Sequence, residues 1–335
     1  MDKKVTSIGG QALMEGVMMR GPTSMAMAVR NKDGFIEVDS VRLKPIRWYN
    51  KVPVLRGVVS FVESLYSGVN TITKSAQVVG DEDEKISNGG MIFAVCAGVL
   101  LAIGLFMLVP ELIASLIDGL IGHSVLLKSL IAGALRMIIF VAYLLIVSRM
   151  KDIRRTFMYH GAEHRTINCY ESGMELTVEN VQKCSTRHNR CGTTFLFIVM
   201  VVSILLFAIV NWILDLFIGD MLSGFVKKLV YFGIKLVILP FTAGISYEIL
   251  KGVAKLPDNI FAKILRAPGL ALQGLTTKIP DDDMAEVAIK SFLIVLKMEE
   301  NSAEPTRAFG NLELPDVRKY IIKRIGKEEV EAEKC

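Results

Sequence analysis

The stretch "TTFLFIVMVVSILLFAIVNWILDLF" (residues 193–217) decides the fold class of this chain. An α-helix rises about 1.5 Å per residue and the apolar core of a bilayer is about 30 Å thick, so about 20 apolar residues suffice to cross it. Three similar runs lie at 91–109, 129–147 and 229–249. Buried helices of soluble proteins seldom sustain such lengths with so few charges. Together with a mean hydropathy of +0.44, the four runs predict an α-helical integral membrane protein with a four-span transmembrane bundle.

The basic residues are distributed unevenly over the connections, and this predicts an orientation. The segment between the second and third runs, 149–192, is rich in Lys and Arg, whereas the connections 110–127 and 218–226 contain neither. Positively charged loops stay on the cytoplasmic side. We therefore expect a multi-pass membrane protein with both termini and the 149–192 loop in the cytoplasm. Cysteines on that reducing side seldom form disulfides, which leaves thiol or metal chemistry for them.

Residues 1–88 are predicted to fold as a small N-terminal α+β cytoplasmic module. Side chains alternate in 24–30 and again in 35–41 on either side of a turn sequence, which is typical of a β-hairpin. An apolar stripe at helical spacing runs through 56–76. It predicts an amphipathic helix that either lies on the membrane or packs on the hairpin. The methionines of 8–22 form either an adaptable binding surface or the core of a small sheet.

The rest of the chain divides into two parts. Residues 89–250 form the four-helix transmembrane domain, which includes the 149–192 loop, and residues 251–335 form a helical cytoplasmic tail. Three aspartates, 281–283, directly precede an apolar run at helical spacing. Carboxylates in that position cap a helix and complement its dipole. We favour this interpretation over a divalent-cation site.

The loop contains "YHGAEHRTINCY" (159–170), which brings two of the four histidines of the chain together. If 152–168 continues the second span as a helix beyond the membrane, His160 and His164 lie one turn apart on the same face. Glu163 precedes the second histidine, which gives H-x-x-E-H, the reversed relative of H-E-x-x-H. In such helices the two imidazoles bind Zn²⁺ and the carboxylate is the general base. The motif therefore predicts a zinc site with Glu163 as the catalytic residue.

A second cluster, "CSTRHNRC" (184–191), follows in the same loop. On a helix its cysteines and histidine would fall on one stripe. Thiolate and imidazole are the ligands that zinc prefers, and the loop offers six of them: His160, His164, Cys169, Cys184, His188 and Cys191. One tetrahedral ion cannot use all six, so a structural Cys₂His₂ site and a hydrolytic site both stay open. Two other interpretations are imidazoles that bind lipid headgroups and cysteines that are small core residues.

Basic residues surround these candidate ligands. Arg165, Arg187 and Arg190 are either the positive-inside signal alone or a binding surface for an anion. The anion would be a phosphorylated or acidic headgroup, or the RNA of a partner such as a ribosome.

Four charged residues lie within the predicted spans: Arg136, Asp215, Lys235 and, at the cytoplasmic end of the fourth span, Glu248. Charges in a bilayer are costly and usually face the bundle interior, where they pair. By depth, Asp215 and Lys235 are expected to meet, and Arg136 is expected to contact Asn211 or Asp215. Structural pairing and a polar pathway both remain open, although nothing in the sequence resembles an inverted repeat.

Four stretches carry a family resemblance: "GGQALMEGVMMRGP", "YHGAEHRTINCYE", "RHNRCGTTF" and "PGLALQGLTTKIPDDDMAEVAI". Over nearly its full length the chain resembles the bacterial YqhQ-like family of unknown function, which is often labelled a predicted metal-dependent membrane enzyme. The resemblance implies functional roles for His160, Glu163, His164, His188 and Cys191. The chain departs from the family pattern at Asn189, where proline is common, and at Ala271, where an aromatic often stands. Neither position is a proposed ligand.

Two functions are compatible with this sequence. The first is a zinc-dependent hydrolase at the cytoplasmic membrane face, acting on a lipid headgroup or a peptide near the bilayer. The second is a non-enzymatic factor for membrane-protein biogenesis or assembly, in which a structural zinc shapes a surface for a translocon or ribosome. We expect contact with membrane lipid and either a protein partner or a second copy of the chain, and no contact with DNA.

Overall fold

The computed structural model describes residues 6–43, 48–80, 88–117, 119, 124–219, 221–257, 259–300 and 320–322. The strands are β1 (Gly9–Leu13), β2 (Gly16–Arg20), β3 (Ser24–Arg30), β4 (Ile36–Arg42) and β5 (Tyr320–Ile322). The first five helices are α1 (Leu55–Val79), α2 (Asn88–Ile103), α3 (Val109–Leu116), α4 (Val125–Val147) and α5 (Lys151–Glu171). They are followed by α6 (Val178–Lys183), α7 (Gly192–Ile218), α8 (Gly224–Lys255), α9 (Ile260–Thr276) and α10 (Asp282–Glu300).

Four helices are long and apolar enough to cross a membrane: Gly89–Leu116, Val125–Val147, Gly192–Ile218 and Gly224–Ala254. The first of them joins α2 and α3 through a π-helical turn, Gly104–Leu108. The number of membrane-length helices is therefore four, as the sequence predicts. The first and fourth helices extend beyond the predicted 91–109 and 229–249, because the helical backbone continues past the proline and the charged residues at which the apolar runs stop.

The strands form one antiparallel sheet in the order β1-β2-β3-β4-β5. The predicted hairpin is confirmed as β3 and β4, with Ser24 opposite Arg42 and Arg30 opposite Ile36. A tighter hairpin precedes it, in which Leu13 pairs with Gly16. Strands β1–β4 therefore form a meander, and β5 from the end of the chain pairs with β4.

Helices α5 and α10 pack on this sheet and complete its core. Met19 and Ala28 of the sheet share one cluster with Tyr159 of α5 and with Val287 and Phe292 of α10. The sequence analysis treated these segments as an N-terminal module, a loop and a tail, whereas the structure joins them in one α+β unit. Sequence periodicity reports which face of a segment is apolar but not which distant segment covers it.

The methionine-rich strands are core, not surface. Met18, Met19, Met25 and Met27 are all buried. This favours the core interpretation of the 8–22 run over an adaptable binding surface, because flexible thioether side chains fill irregular gaps between a sheet and its helices.

Helix α1 packs with its polar side inward. Its buried residues are small or polar: Gly57, Glu63, Ser67, Gly68, Thr71 and Ser75. Its apolar stripe points outward, where Val62, Leu65, Tyr66, Val69 and Ile72 are exposed. An ion pair between Arg56 and Glu248 ties α1 to α8. Ion pairs of Glu63 with Arg20 and of Lys74 with Asp39 join the inner face of α1 to the sheet, which is one of the two placements predicted for 56–76. The outward apolar face leaves the membrane placement a prediction.

The structure tests one prediction on the loop and one on the tail. Helix α5 does not continue span two, because the chain turns at 148–150 and Met150 is extended. Helix α10 begins at Asp282, as the capping interpretation requires, and Asp282 and Asp283 stand in its first turn. Apart from β5, the charged end of the tail after residue 300 lies outside the described residues.

Candidate metal centre

A glycine in the interior of α5 sets up the candidate site. A Cβ placed on Gly161 would lie 1.9 Å from the carbonyl oxygen of Lys278, so only glycine allows the chain after α9 to cross α5 here. The crossing is fixed by a hydrogen bond of 2.8 Å from Lys278 N to Phe157 O. It brings the carbonyl of Thr276 beside His160.

Both imidazoles of α5 are oriented by backbone carbonyls. His160 Nδ1 lies 2.8 Å from Thr276 O, and His164 Nδ1 lies 2.6 Å from Thr186 O. Each Nδ1 therefore donates its proton, which leaves Nε2 as a lone-pair donor. This arrangement is the usual support of a metal-binding histidine, since it fixes the tautomer and the ring together.

Cys191 completes the cluster from another element. It is the N-cap of α7, where its Sγ accepts from Thr193 N at 3.4 Å. Its Sγ lies 3.3 Å from His160 Nε2. One ligand atom from each of His160, His164 and Cys191 falls within 4.8 Å of the others. The two predicted ligands on α5 therefore lie beside a predicted thiol, Cys191, that follows His160 by 31 residues.

These three side chains fit a zinc ion. Two ligands of a tetrahedral zinc, with bonds of about 2.0–2.3 Å, lie about 3.5 Å apart, close to the 3.3 Å between His160 Nε2 and Cys191 Sγ. Three protein ligands with a fourth position open is the pattern of catalytic rather than closed structural zinc sites.

Glu163 lies in the same cavity as the three ligands, a space of about 700 Å³. It is buried, and its Oε2 has no hydrogen-bond partner among the described residues. Burial raises the pKa of Glu163 above its ordinary value, against the opposing effects of His160 and of the Gly10 amide. Burial likewise lowers the pKa of His164, which favours the neutral imidazole that a metal requires.

Cys184 does not reach this cluster. Residues 184–191 are irregular rather than helical, so the predicted stripe of cysteines and histidine is wrong. The Sγ of Cys184 contacts Asn180 O at 3.4 Å, and its side chain packs near Cys169 in a small core behind α5. Burial raises the pKa of Cys169 to about 12, with help from Cys184. These two thiols fit the core interpretation.

His188 stands beside the cluster but faces an acid instead. Its ring centre is 5.8 Å from that of His164, and its Nε2 lies 3.5 Å from Glu171 Oε2. Glu171 also accepts from Arg190 and, at 3.1 Å, from Thr6 N. Although burial acts to raise it, the pKa of Glu171 is lowered by these donors.

The three arginines predicted to bind an anion are separated. Arg190 lines the metal cavity while it holds Glu171. Arg187 lines a different cleft beside α9. Arg165 donates to the carbonyl of Gln182 at 2.7 Å and so fixes the end of α6. Of the trio, Arg190 is the one that a ligand in the metal cavity could meet.

The charged residues within the spans pair differently from the prediction by depth. Lys235 contacts Glu111 at 2.9 Å, and Asp215 contacts Lys227 at 2.8 Å. Arg136 donates from Nε to Phe106 O at 2.7 Å rather than to Asn211 or Asp215. Glu111 lies beyond the predicted end of the first span, so it was not considered as a partner.

Comparison with known proteins identifies the family. The family described as "Protein of unknown function (DUF1385)" matches residues 52–298. The chain belongs to this family. It is 32% identical over 321 residues to "Uncharacterized protein YqhQ" of Bacillus subtilis (strain 168), which covers 91% of this chain and 96% of that protein. This confirms the resemblance to YqhQ-like proteins. No solved structure matches the chain.

Sequence reasoning missed the residues of this DUF1385 protein that hold the site in position. Gln273 is fully buried and clamps the loop, since it accepts from His188 N at 2.9 Å and donates to His188 O at 2.8 Å. Glu171 anchors the N-terminal segment. Only Gly161 gave a signal, because glycine within a helix is unfavourable and often marks a close approach.

Proposed function

We propose that this protein is a zinc-dependent hydrolase that works at the surface of the membrane. His160, His164 and Cys191 are the ligands, and Glu163 is the general base. One observation carries the proposal: three ligand atoms lie within 4.8 Å of one another in a cavity shared with a buried carboxylate whose Oε2 has no partner among the described residues.

The chemistry divides between the metal and the protein. When bound, zinc would activate water and polarise the carbonyl or phosphoryl group under attack. Glu163 takes the proton of the attacking water on Oε2 and returns it to the leaving atom, so that water adds across the broken bond. The carbonyls of Thr276 and Thr186 keep the two imidazoles aligned. Arg190 stands at the cavity wall, where a guanidinium can hold an anionic part of the substrate.

Three features support a substrate at the membrane surface. Cys191 precedes Gly192, the first residue of a membrane-length helix, so the cluster lies at the level where that helix leaves the apolar layer. The cavity wall includes Ser60 and Ser64 of α1, whose opposite face is exposed and apolar. The basic residues of 149–192 favour the cytoplasmic side. A lipid headgroup and a peptide near the bilayer are the substrates that fit this position.

Metal analysis of the purified protein tests the ligand set. We expect about one zinc per chain in the wild type, strong loss in the His160→Ala/His164→Ala variant, and retention in Glu163→Gln. His188→Ala is the matched control, because its ring faces Glu171 rather than the cluster. Zinc in the double-alanine variant at the wild-type level would refute the site.

Catalysis is tested in the same variants. Membranes from cells that express the wild type or Glu163→Gln are compared by lipid and peptide profiling. A substrate should accumulate only in the variant, which retains its metal but lacks the base.

A second function has one observation in its favour. The ligands come from α5 of the α+β unit and from the start of α7, so a metal would join that unit to the helical bundle. A structural zinc of this kind suits a factor for membrane-protein biogenesis that binds a translocon or ribosome. Co-purification of such a partner that persists in Glu163→Gln but is lost without the metal, with unchanged membrane composition, would favour this alternative.

A further inference from the structure

A second cavity lies between the membrane-length helices, far from the metal centre. It encloses about 520 Å³ and is lined by α3, by the first half of α4, by the end of α7 and by the start of α8. Cys191 precedes α7 and Asp215 lies near its end. At about 1.5 Å per residue, the two levels are separated by about 36 Å along that helix, roughly the thickness of a bilayer.

The cavity carries an excess of positive charge. Among the described residues that line it, Glu111 and Asp215 are the two acidic ones, and each contacts one lysine. Its five basic residues are Lys128, Arg136, Lys227, Lys228 and Lys235. Cations in an apolar layer are unfavourable unless negative charge balances them, so residues of this kind mark a binding site more often than a structural core.

Arg136 is one of the two buried basic residues of the cavity, with Lys235. Its exposed fraction is 8%. Pro110 has no N–H to give to the carbonyl of Phe106 four residues earlier, and Arg136 Nε donates to that carbonyl at 2.7 Å. The guanidinium also lies 5.4 Å from the ring centre of Phe207. Among the described residues it makes no further hydrogen bond, so its terminal nitrogens are available to a ligand.

Asn211 adds a second polar group that lacks a partner. Its Nδ2 donates to Ser129 at 2.9 Å, whereas its Oδ1 is buried and has no partner among the described residues. An unpaired buried amide oxygen costs free energy, which a hydroxyl of a ligand would offset. Apolar side chains, among them Leu108, Leu112 and Phe232, line the rest of the cavity.

We propose that this cavity binds an oxyanion, a phosphate or phosphodiester, carried on an amphiphile such as an anionic phospholipid. The guanidinium of Arg136 offers a planar pair of donors that suits a phosphate, Lys228 adds charge at the rim, and the apolar lining accommodates hydrocarbon. The site is separate from the metal centre and does not depend on the proposed hydrolysis.

Lipid retention tests this proposal. The full-length protein is purified in detergent, stripped of lipid, and incubated with phosphatidylglycerol or phosphatidylcholine before native mass spectrometry. We expect the wild type to retain phosphatidylglycerol with about tenfold preference, the effect of one charge-assisted contact. Arg136→Lys keeps the charge but loses the planar pair of donors, and Lys228→Gln removes a rim charge, so each should reduce this preference by at least about threefold.

Two further arms make the experiment decisive. Lys151→Gln removes the same charge at the start of α5, outside the cavity, and should leave retention unchanged. Competition by inorganic phosphate would show that the free oxyanion suffices, and its failure to compete would assign the site to the lipid. Equal retention of the two lipids by the wild type, or an unchanged preference in both Arg136→Lys and Lys228→Gln, would overturn the proposal.

Discussion

Replacing Gly161 by alanine tests whether the crossing of α5 by the chain after α9 builds the metal centre. The added Cβ would lie 1.9 Å from Lys278 O, whereas ordinary contacts of this kind begin near 3.4 Å. The neighbour is backbone, so the segment has to move by more than an ångström. That movement breaks two hydrogen bonds, from Lys278 N to Phe157 O and from His160 Nδ1 to Thr276 O.

The magnitude follows from these contacts. Overpacking costs about 1–3 kcal/mol, and each lost hydrogen bond about 0.5–1.5 kcal/mol. Alanine recovers up to about 1 kcal/mol of helix propensity. We expect a net loss of about 2–4 kcal/mol in the free energy of unfolding, or roughly 3–6 °C in the unfolding midpoint of a chain of this length. Loss of the carbonyl that orients His160 should weaken zinc binding about 10–100-fold.

The assay combines thermal unfolding of the detergent-purified protein with zinc competition against a chromophoric chelator. Gly252→Ala is the matched control, because this glycine is also within a helix and nothing lies within 4 Å of its Cβ position. It should be neutral or slightly stabilising. A Gly161→Ala protein with wild-type stability and zinc affinity would refute the argument that this crossing constructs the site.

Three further predictions concern the supports of the site. Glu171→Gln should lose about 2–3 kcal/mol of unfolding free energy. Because the pKa of Glu171 is lowered in the folded state, its ionised carboxylate stabilises the fold above the unfolded-state pKa, and this stabilisation is lost as the pH falls through the folded-state pKa. The free energy of unfolding should therefore decrease less between neutral and acidic pH in Glu171→Gln than in the wild type. Gln273→Leu leaves both backbone groups of His188 unpaired and should cost about 2–4 kcal/mol, measured in the same way. Cys169, with a pKa of about 12, should resist alkylation at pH 8 in the folded protein and react once the protein is unfolded, as peptide mass spectrometry would detect. Rapid labelling of Cys169 in the folded protein would contradict its burial.

Local patterns predicted the elements of this fold well. The alternation in 24–30 coincides with β3, and all four apolar runs are helices. The spacing of His160 and His164 placed both on one face of α5, because a helix fixes that relation within a single turn. Such features depend on neighbours in the chain, and sequence records them directly.

Relations between distant segments were beyond these patterns. Cys184 and Cys191 have the same chemistry and lie in the same loop, yet one enters the core behind α5 and the other caps α7. The partner of Lys235 is 124 positions away, and depth alone favoured the wrong carboxylate. In both cases the outcome depends on how helices pack, which a single sequence does not encode in any local period.

The shared core of strands and α10 has a consequence for synthesis. Strands β1–β4 emerge first from the ribosome. Val287 and Phe292, which cover them, follow only after all four membrane-length helices have been translated. Until then the buried methionines of β2 and β3 lack this cover and need a chaperone or the membrane surface as a temporary substitute. An uneven number of inserted helices would leave α10 on the opposite side of the bilayer from the sheet. Formation of this core therefore requires that α10 and the first four strands end on the same side of the four membrane-length helices.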